Sequence, residues 1–90
     1  PEHKSGSDQY SAVLRPLHAL EVLATTDSSP ASLAEALGIH AKTARRILEA
    51  MSSAGFVSDL SGEGGPYRLT PRLAAIGRRA LGRLDLPRVA

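Results

Sequence analysis

The chain has 90 residues, enough for one domain with a small core. Apolar residues make up 42%, yet only Tyr10, Phe56 and Tyr67 are aromatic, so a core of Leu, Ile, Val and Ala points to packed helices rather than a β-sandwich. The absence of cysteine excludes a disulfide scaffold, an Fe–S cluster, a Cys-based zinc site and a thiol nucleophile.

No apolar run approaches the roughly 18 residues of a membrane span. The polar start, Pro1 to Gln9, is no signal peptide. A soluble, cytoplasmic protein with no membrane contact and no cofactor is expected. Charge is uneven: residues 1–40 hold two basic and five acidic residues, whereas residues 41–90 hold nine basic and four acidic ones. The excess positive charge of the second half points to a polyanion partner.

Residues 1–10 read as a disordered arm or a remnant of added sequence. Residues 13–26 carry the first helical pattern, with Val13, Leu17, Leu20 and Ala24 on one stripe and Pro16 in the first turn, where its missing N–H costs little. Leu14, Ala19, Val22 and Leu23 spread beyond that stripe. One core cannot absorb apolar residues nearly all round a surface helix, so a second buried face is expected, with Leu14 and Val22 as dimer contacts.

A second helix starts at Ser29-Pro30, an N-cap followed by a proline at the first helical position. Leu33, Ala34 and Leu37 face inward, and Gly38 stops the helix because it takes a left-handed conformation cheaply. A third helix runs from about Ala41 to Ala54, with Ala44, Ile47, Leu48 and Met51 on its buried face. Phe56 to Leu60 alternates as a strand, Ser61 to Gly65 is turn material, and Pro66 to Leu69 reads as the returning strand. Thr70-Pro71 then starts a fourth helix over roughly 71–84, whose apolar face is Leu73, Ile76, Ala80, Leu81 and Leu84.

Two helices joined by a short Gly-containing turn and followed by a hairpin make a winged helix-turn-helix. The predicted fold is therefore mainly α with a small β-hairpin. Its parts are a winged helix-turn-helix DNA-binding domain over 11–70, a linker helix over 71–84, and the start of a linker over 85–90.

The outer face of the third helix carries the chemistry. Lys42, Arg46, Glu49 and Ser53 lie opposite the buried stripe, flanked by Thr43 and Arg45. A recognition helix enters the major groove with its N-terminal residues against base edges. Arg and Lys match guanine O6 and N7 there, while Thr43 near the helix start suits a phosphate. His40 is a further candidate at that helix start. Read apart from the fold, Lys42, Arg45 and Arg46 are also compatible with a solvated face in which Arg46 pairs with Glu49 at i, i+3. Arg68 on the return strand is a candidate backbone contact, the alternative being an ion pair with Asp59 across the hairpin. The glycines at 62, 64 and 65 read as turn formers, since no Gly-Lys-Ser/Thr ending follows them.

From Ser11 to Leu84 the chain resembles the DNA-binding domain of the isocitrate lyase regulator (IclR) family of bacterial transcription regulators. The residues that carry the resemblance are Arg15-Pro16-Leu17-His18-Ala19-Leu20-Glu21-Val22-Leu23, Leu33-Ala34-Glu35-Ala36-Leu37-Gly38-Ile39 and Lys42-Thr43-Ala44-Arg45-Arg46-Ile47-Leu48. Gly55-Phe56-Val57 and Tyr67-Arg68-Leu69-Thr70-Pro71-Arg72-Leu73 complete the set.

The resemblance implies a homodimer on double-stranded DNA with a pseudo-palindromic operator. It implies Thr43, Arg45 and Arg46 in the recognition helix, Arg68 in the wing, and pairing of the two copies through the first and linker helices. His40 stands where a proline is common and Lys42 where a serine is common. An effector ligand is expected only through a C-terminal domain that these ninety residues do not contain.

An enzyme is not expected. His3, His18 and His40 lack metal-ligand spacing, and the carboxylates are scattered rather than paired. The competing reading is a winged helix used for protein–protein contact or dimerisation without DNA, which does not call for cations at the start of the third helix. RNA binding is disfavoured by the lack of exposed stacking aromatics.

Overall fold

The computed structural model describes residues 2–84, with side chains from residue 12 onward. Its elements are α1 (Glu2–Thr25), α2 (Pro30–Leu37), α3 (Ala41–Ser53), β1 (Val57–Asp59), β2 (Tyr67–Leu69) and α4 (Pro71–Arg83). This is the mainly helical winged helix-turn-helix, with a further helix after the wing, that the sequence predicts.

Local chemistry sets most boundaries. Ser29 caps α2 in a reciprocal box: its hydroxyl accepts from the Ser32 N–H at 3.0 Å, and the Ser29 N–H donates to the Ser32 hydroxyl at 2.9 Å. Gly38 closes α2 at φ +68°, a left-handed conformation, with its N–H returned to the Ala34 carbonyl. Thr70 caps α4, accepting from the Arg72 N–H, and its hydroxyl donates to the Gly55 carbonyl at 2.6 Å. That bond ties the start of α4 to the end of α3.

The core joins Ala19 and Leu23 of α1, Leu33 and Ala34 of α2, Ala44, Leu48 and Met51 of α3, and Val57 and Tyr67 of the hairpin. Ile47 and Leu37, predicted inward, are half-buried against it. β1 and β2 pair antiparallel, with Val57 opposite Leu69 and Asp59 opposite Tyr67. The hairpin gains a third, one-residue strand: Ser28 and Tyr67 exchange backbone bonds of 3.0 and 2.8 Å. Ser28 is consequently buried, its hydroxyl donating to the Thr26 carbonyl. In the sequence this segment reads only as a break before α2.

Two expectations are corrected. Most of the predicted stripe of α1 is not its core face: Leu20 packs half-buried on the core, but Ala19 and Leu23 are the buried residues, whereas Val13 and Leu17 are 66% and 53% exposed and Ala24 is also exposed. Apolar residues surround this helix, so periodicity could not choose a face. The small side chain of Ala19, fully buried in the core shared with α2 and β2, marks the side that the rest of the fold covers. Second, residues 2–10, read as a disordered arm, continue α1. Extending a helix already anchored by packing needs no apolar periodicity, because the costly nucleus exists. No residue of α4 is fully buried. On its apolar face Leu73 and Ile76 are half-buried, while Leu81 and Leu84 are exposed. The linker expected at 85–90 lies outside the described residues. Among the described residues no helix is long and apolar enough to cross a membrane.

Candidate nucleic-acid interface

Burial of Ala44, Leu48 and Met51 fixes the rotation of α3. Lys42, Arg45, Arg46, Glu49 and Ser53 are therefore turned outward, and Thr43 is half-buried at the edge. His40 stands at the N-cap, exposed, and its side chain makes no capping bond. The first amides of α3 thus have no side-chain acceptor among the described residues, and the helix dipole adds partial positive charge there.

Around this helix start, Arg15, Gly38, Ile39, His40 and Thr43 line an open hollow of about 400 Å3. Arg15 is a residue to which the sequence alone assigns no role. Its one signal is its isolation as one of two cations in an acidic half. Three donor-bearing side chains from α1, the turn and α3 face one hollow, a geometry suited to an anion.

The two arginines of α3 diverge. Arg46 lines an apolar groove of about 510 Å3 between α1 and α3, with Leu17, Leu20, Ile47 and Phe56 among its walls. Arg45 turns toward the wing, where a Cβ placed on Gly64 would lie 3.4 Å from its Nη1. Gly64 also has φ +104°, so any side chain there would be strained as well as crowded. The Arg46–Glu49 pairing is not made: among the described residues Arg68–Asp27 is the one ion pair.

That pair also replaces the cross-hairpin alternative for Arg68. Its Nε and Nη2 donate to the two Asp27 oxygens at 3.0 and 2.8 Å, a bidentate fork. The Arg68 side chain nevertheless remains 62% exposed. The guanidinium holds Asp27 below the usual carboxylate range, through the hydrogen bonds first and its charge second. In the strand register Arg68 faces Ser58, not Asp59.

Asp59 instead builds the wing tip. Its oxygens accept from the N–H groups of Gly64 at 2.7 Å, Gly65 at 2.9 Å, Gly62 at 3.1 Å and Ser61 at 3.2 Å. The Gly64 bond foremost, with those from Gly65 and Gly62 and the bond donated by the Ser61 hydroxyl, lowers its carboxyl below the ordinary range. Below the wing, burial first and the carboxylates of Asp59 and Glu49 second raise the Tyr67 phenol.

Of the two residues assigned to a dimer contact, Leu14 is exposed, while Val22 is half-buried and packs on the core. The outward apolar face of α1 is Val13 and Leu17 with Leu14 at its margin.

The chain is 32% identical, over 91 aligned positions, to the DNA-binding transcriptional repressor YiaJ of Escherichia coli (strain K12). The match takes in 99% of this chain. It spans 31% of that protein's length. No family model matches the chain, and no solved structure matches it.

The Asp59 network makes a pH prediction. A carboxyl that titrates lower in the folded chain than in the unfolded one stabilises fully above the ordinary carboxylate range. That contribution is lost as the pH falls through the range to the folded value. Amide exchange at Gly62, Gly64 and Gly65 is therefore expected to accelerate in acid, relative to α2. Asp59→Asn should show the fast exchange already at neutral pH. Unchanged protection in both experiments would remove Asp59 from the role of loop organiser.

Proposed function

We propose that this chain is the DNA-binding domain of a cytoplasmic transcription regulator resembling the isocitrate lyase regulator family. It reads the major groove with α3, touches the backbone with its wing, and works as a homodimer on a pseudo-palindromic operator. The observation that carries the reading is the exposed face of α3: Lys42, Arg45 and Arg46 stand outward and free of carboxylate partners among the described residues, on the second helix of a helix-turn-helix. The likeness to a DNA-binding transcriptional repressor over 99% of the chain supports it.

In this reading Arg46 and Lys42 meet base edges, for which guanine O6 and N7 are the matching acceptors. Arg45 reaches the strip between α3 and the wing. Thr43, His40 and Arg15 hold a phosphate at the hollow beside the start of α3, with the free amides. Catalysis has no part in it. The open apolar face of α1 supports pairing of two copies, through Leu14 and its neighbours Val13 and Leu17 rather than Val22. The same face keeps a second reading in play, a winged helix that docks protein without DNA.

Fluorescence anisotropy on a duplex enriched from a random library, against a scrambled duplex at two salt concentrations, separates the two. Tight, salt-sensitive binding that prefers the enriched duplex is expected, because neutralised phosphates release counterions. Equal weak binding to both would support the protein-docking module. Arg68 has its own test. Arg68→Ala should weaken binding to specific and random duplexes alike and flatten the salt dependence by about one ion. An unchanged slope would leave Arg68 with its structural partner Asp27 alone.

A further inference from the structure

We infer that α4 is a second, sequence-independent contact for the phosphate backbone of duplex DNA, lying beyond the recognition helix and the wing. The inference rests on the DNA-binding reading above and extends its footprint.

The helix Pro71–Arg83 contains Arg72, Arg78, Arg79 and Arg83 and no Asp or Glu. All four arginines are exposed, and among the described residues no carboxylate lies within ion-pair distance of any of them. At about 100° per residue, Arg72, Arg79 and Arg83 fall within roughly 40° of one another, a stripe about 16 Å long. Arg78 stands about 100° round the helix from Arg79 by the same spacing. Arg72, Arg78 and Arg79, with Ala75 and Ile76, border an open depression of about 610 Å3. A solvated helix face ordinarily mixes charge signs, often as i, i+4 pairs. A helix with four cations and no anion is repelled by itself and attracted to a polyanion.

The stripe also joins the cations of α3. The Arg72 guanidinium lies 5.2 Å from the centre of the Phe56 ring. Phe56 in turn walls the groove that Arg46 lines. Thr70 binds the start of α4 to the Gly55 carbonyl at the end of α3. Phe56 therefore links the arginines of α4 to the groove that Arg46 lines. Duplex DNA, one charge per about 1.7 Å of axis, matches a stripe of this length. An anionic membrane fits less well: the apolar side of α4 is interrupted by Gly77, and Leu73 and Ile76 are half-buried.

The test compares the chain with R78A/R79A/R83A, leaving Arg72 on Phe56. Exposed Arg→Ala changes on a helix keep or raise helix propensity, and circular dichroism checks that the fold is retained. Anisotropy is read over a full salt series on the enriched and the random duplex. The slope of log K against log salt should flatten by about 2 to 3, at roughly 0.9 per phosphate lost. The flattening should be equal on the two duplexes, leaving the preference ratio unchanged. R78K/R79K/R83K should restore the slope, since a point charge suffices for a phosphate. An unchanged slope in a triple-alanine chain, with the unaltered chain still preferring the enriched duplex, overturns this inference alone. Failure of the unaltered chain to prefer the enriched duplex overturns the DNA reading and this inference with it. Retained DNA slope with lost binding to phosphatidylglycerol vesicles would overturn it in favour of a membrane contact.

Discussion

Leu48→Ala is expected to destabilise the chain by about 2–5 kcal/mol, the range for removing a buried leucine and leaving a cavity. Leu48 is 0% exposed and sits where α3 meets the rest of the core. Its neighbours in that core include Leu33 of α2, Leu23 of α1 and Val57 of β1, so the cavity opens where three helices and the hairpin converge. Small domains keep only about 0.05–0.15 kcal/mol of stability per residue, so this loss removes a large share of the total. Urea unfolding followed by circular dichroism should show a lower midpoint with a similar slope. A loss below 1 kcal/mol would mean that the site collapses around the alanine and that α3 is held chiefly by its other contacts.

Arg46→Ala is expected to weaken the complex with the enriched duplex by about 1–3 kcal/mol, the worth of a good base-edge contact. Read as affinity, that is roughly 5- to 150-fold. Arg46 has no carboxylate partner among the described residues, so its removal strands no buried charge and the loss reports on DNA. Its stem also lines the groove between α1 and α3, and Arg46→Lys separates the two roles. Lysine keeps the charge and most of the stem but lacks the planar fork. Binding to random DNA should survive in the lysine variant while the preference for the enriched duplex falls. Equal loss on enriched and random DNA in the alanine variant would reassign Arg46 to a phosphate.

The sequence was legible where local chemistry is decisive. Ser29-Pro30, Gly38 and Thr70-Pro71 are caps and stops whose conformations follow from single residues, and α2 and α4 begin or end beside them. α3 was legible as a face as well, because its apolar residues occupy one side only. Rotation followed, and with it the outward placement of Lys42, Arg45 and Arg46. α1 was not legible in that way. Leucines and valines surround it, and of the stripe chosen by periodicity only Leu20 packs on the core, while Val13, Leu17 and Ala24 are left open.

Partners of charged residues were harder still. Arg68 and Asp27 stand 41 positions apart and Arg15 and Thr43 belong to different helices, yet each set is brought together. Asp59 looked like a partner for Arg68 because the hairpin places it nearby in sequence. The turn glycines claimed it instead, since their freed N–H groups point inward at one carboxylate.

By itself, then, the sequence determined the element types, the order of the winged helix-turn-helix, and the cationic outer face of α3. Caps, turns and one-sided periodicity are local properties that act before any long-range contact forms. The tertiary structure alone decided which side of α1 is covered, that Ser28 completes the sheet, that Asp27 takes Arg68, and that the arginines of α4 meet no carboxylate among the described residues. Those outcomes depend on which surfaces meet once the chain has closed on itself, and no spacing along one element encodes them.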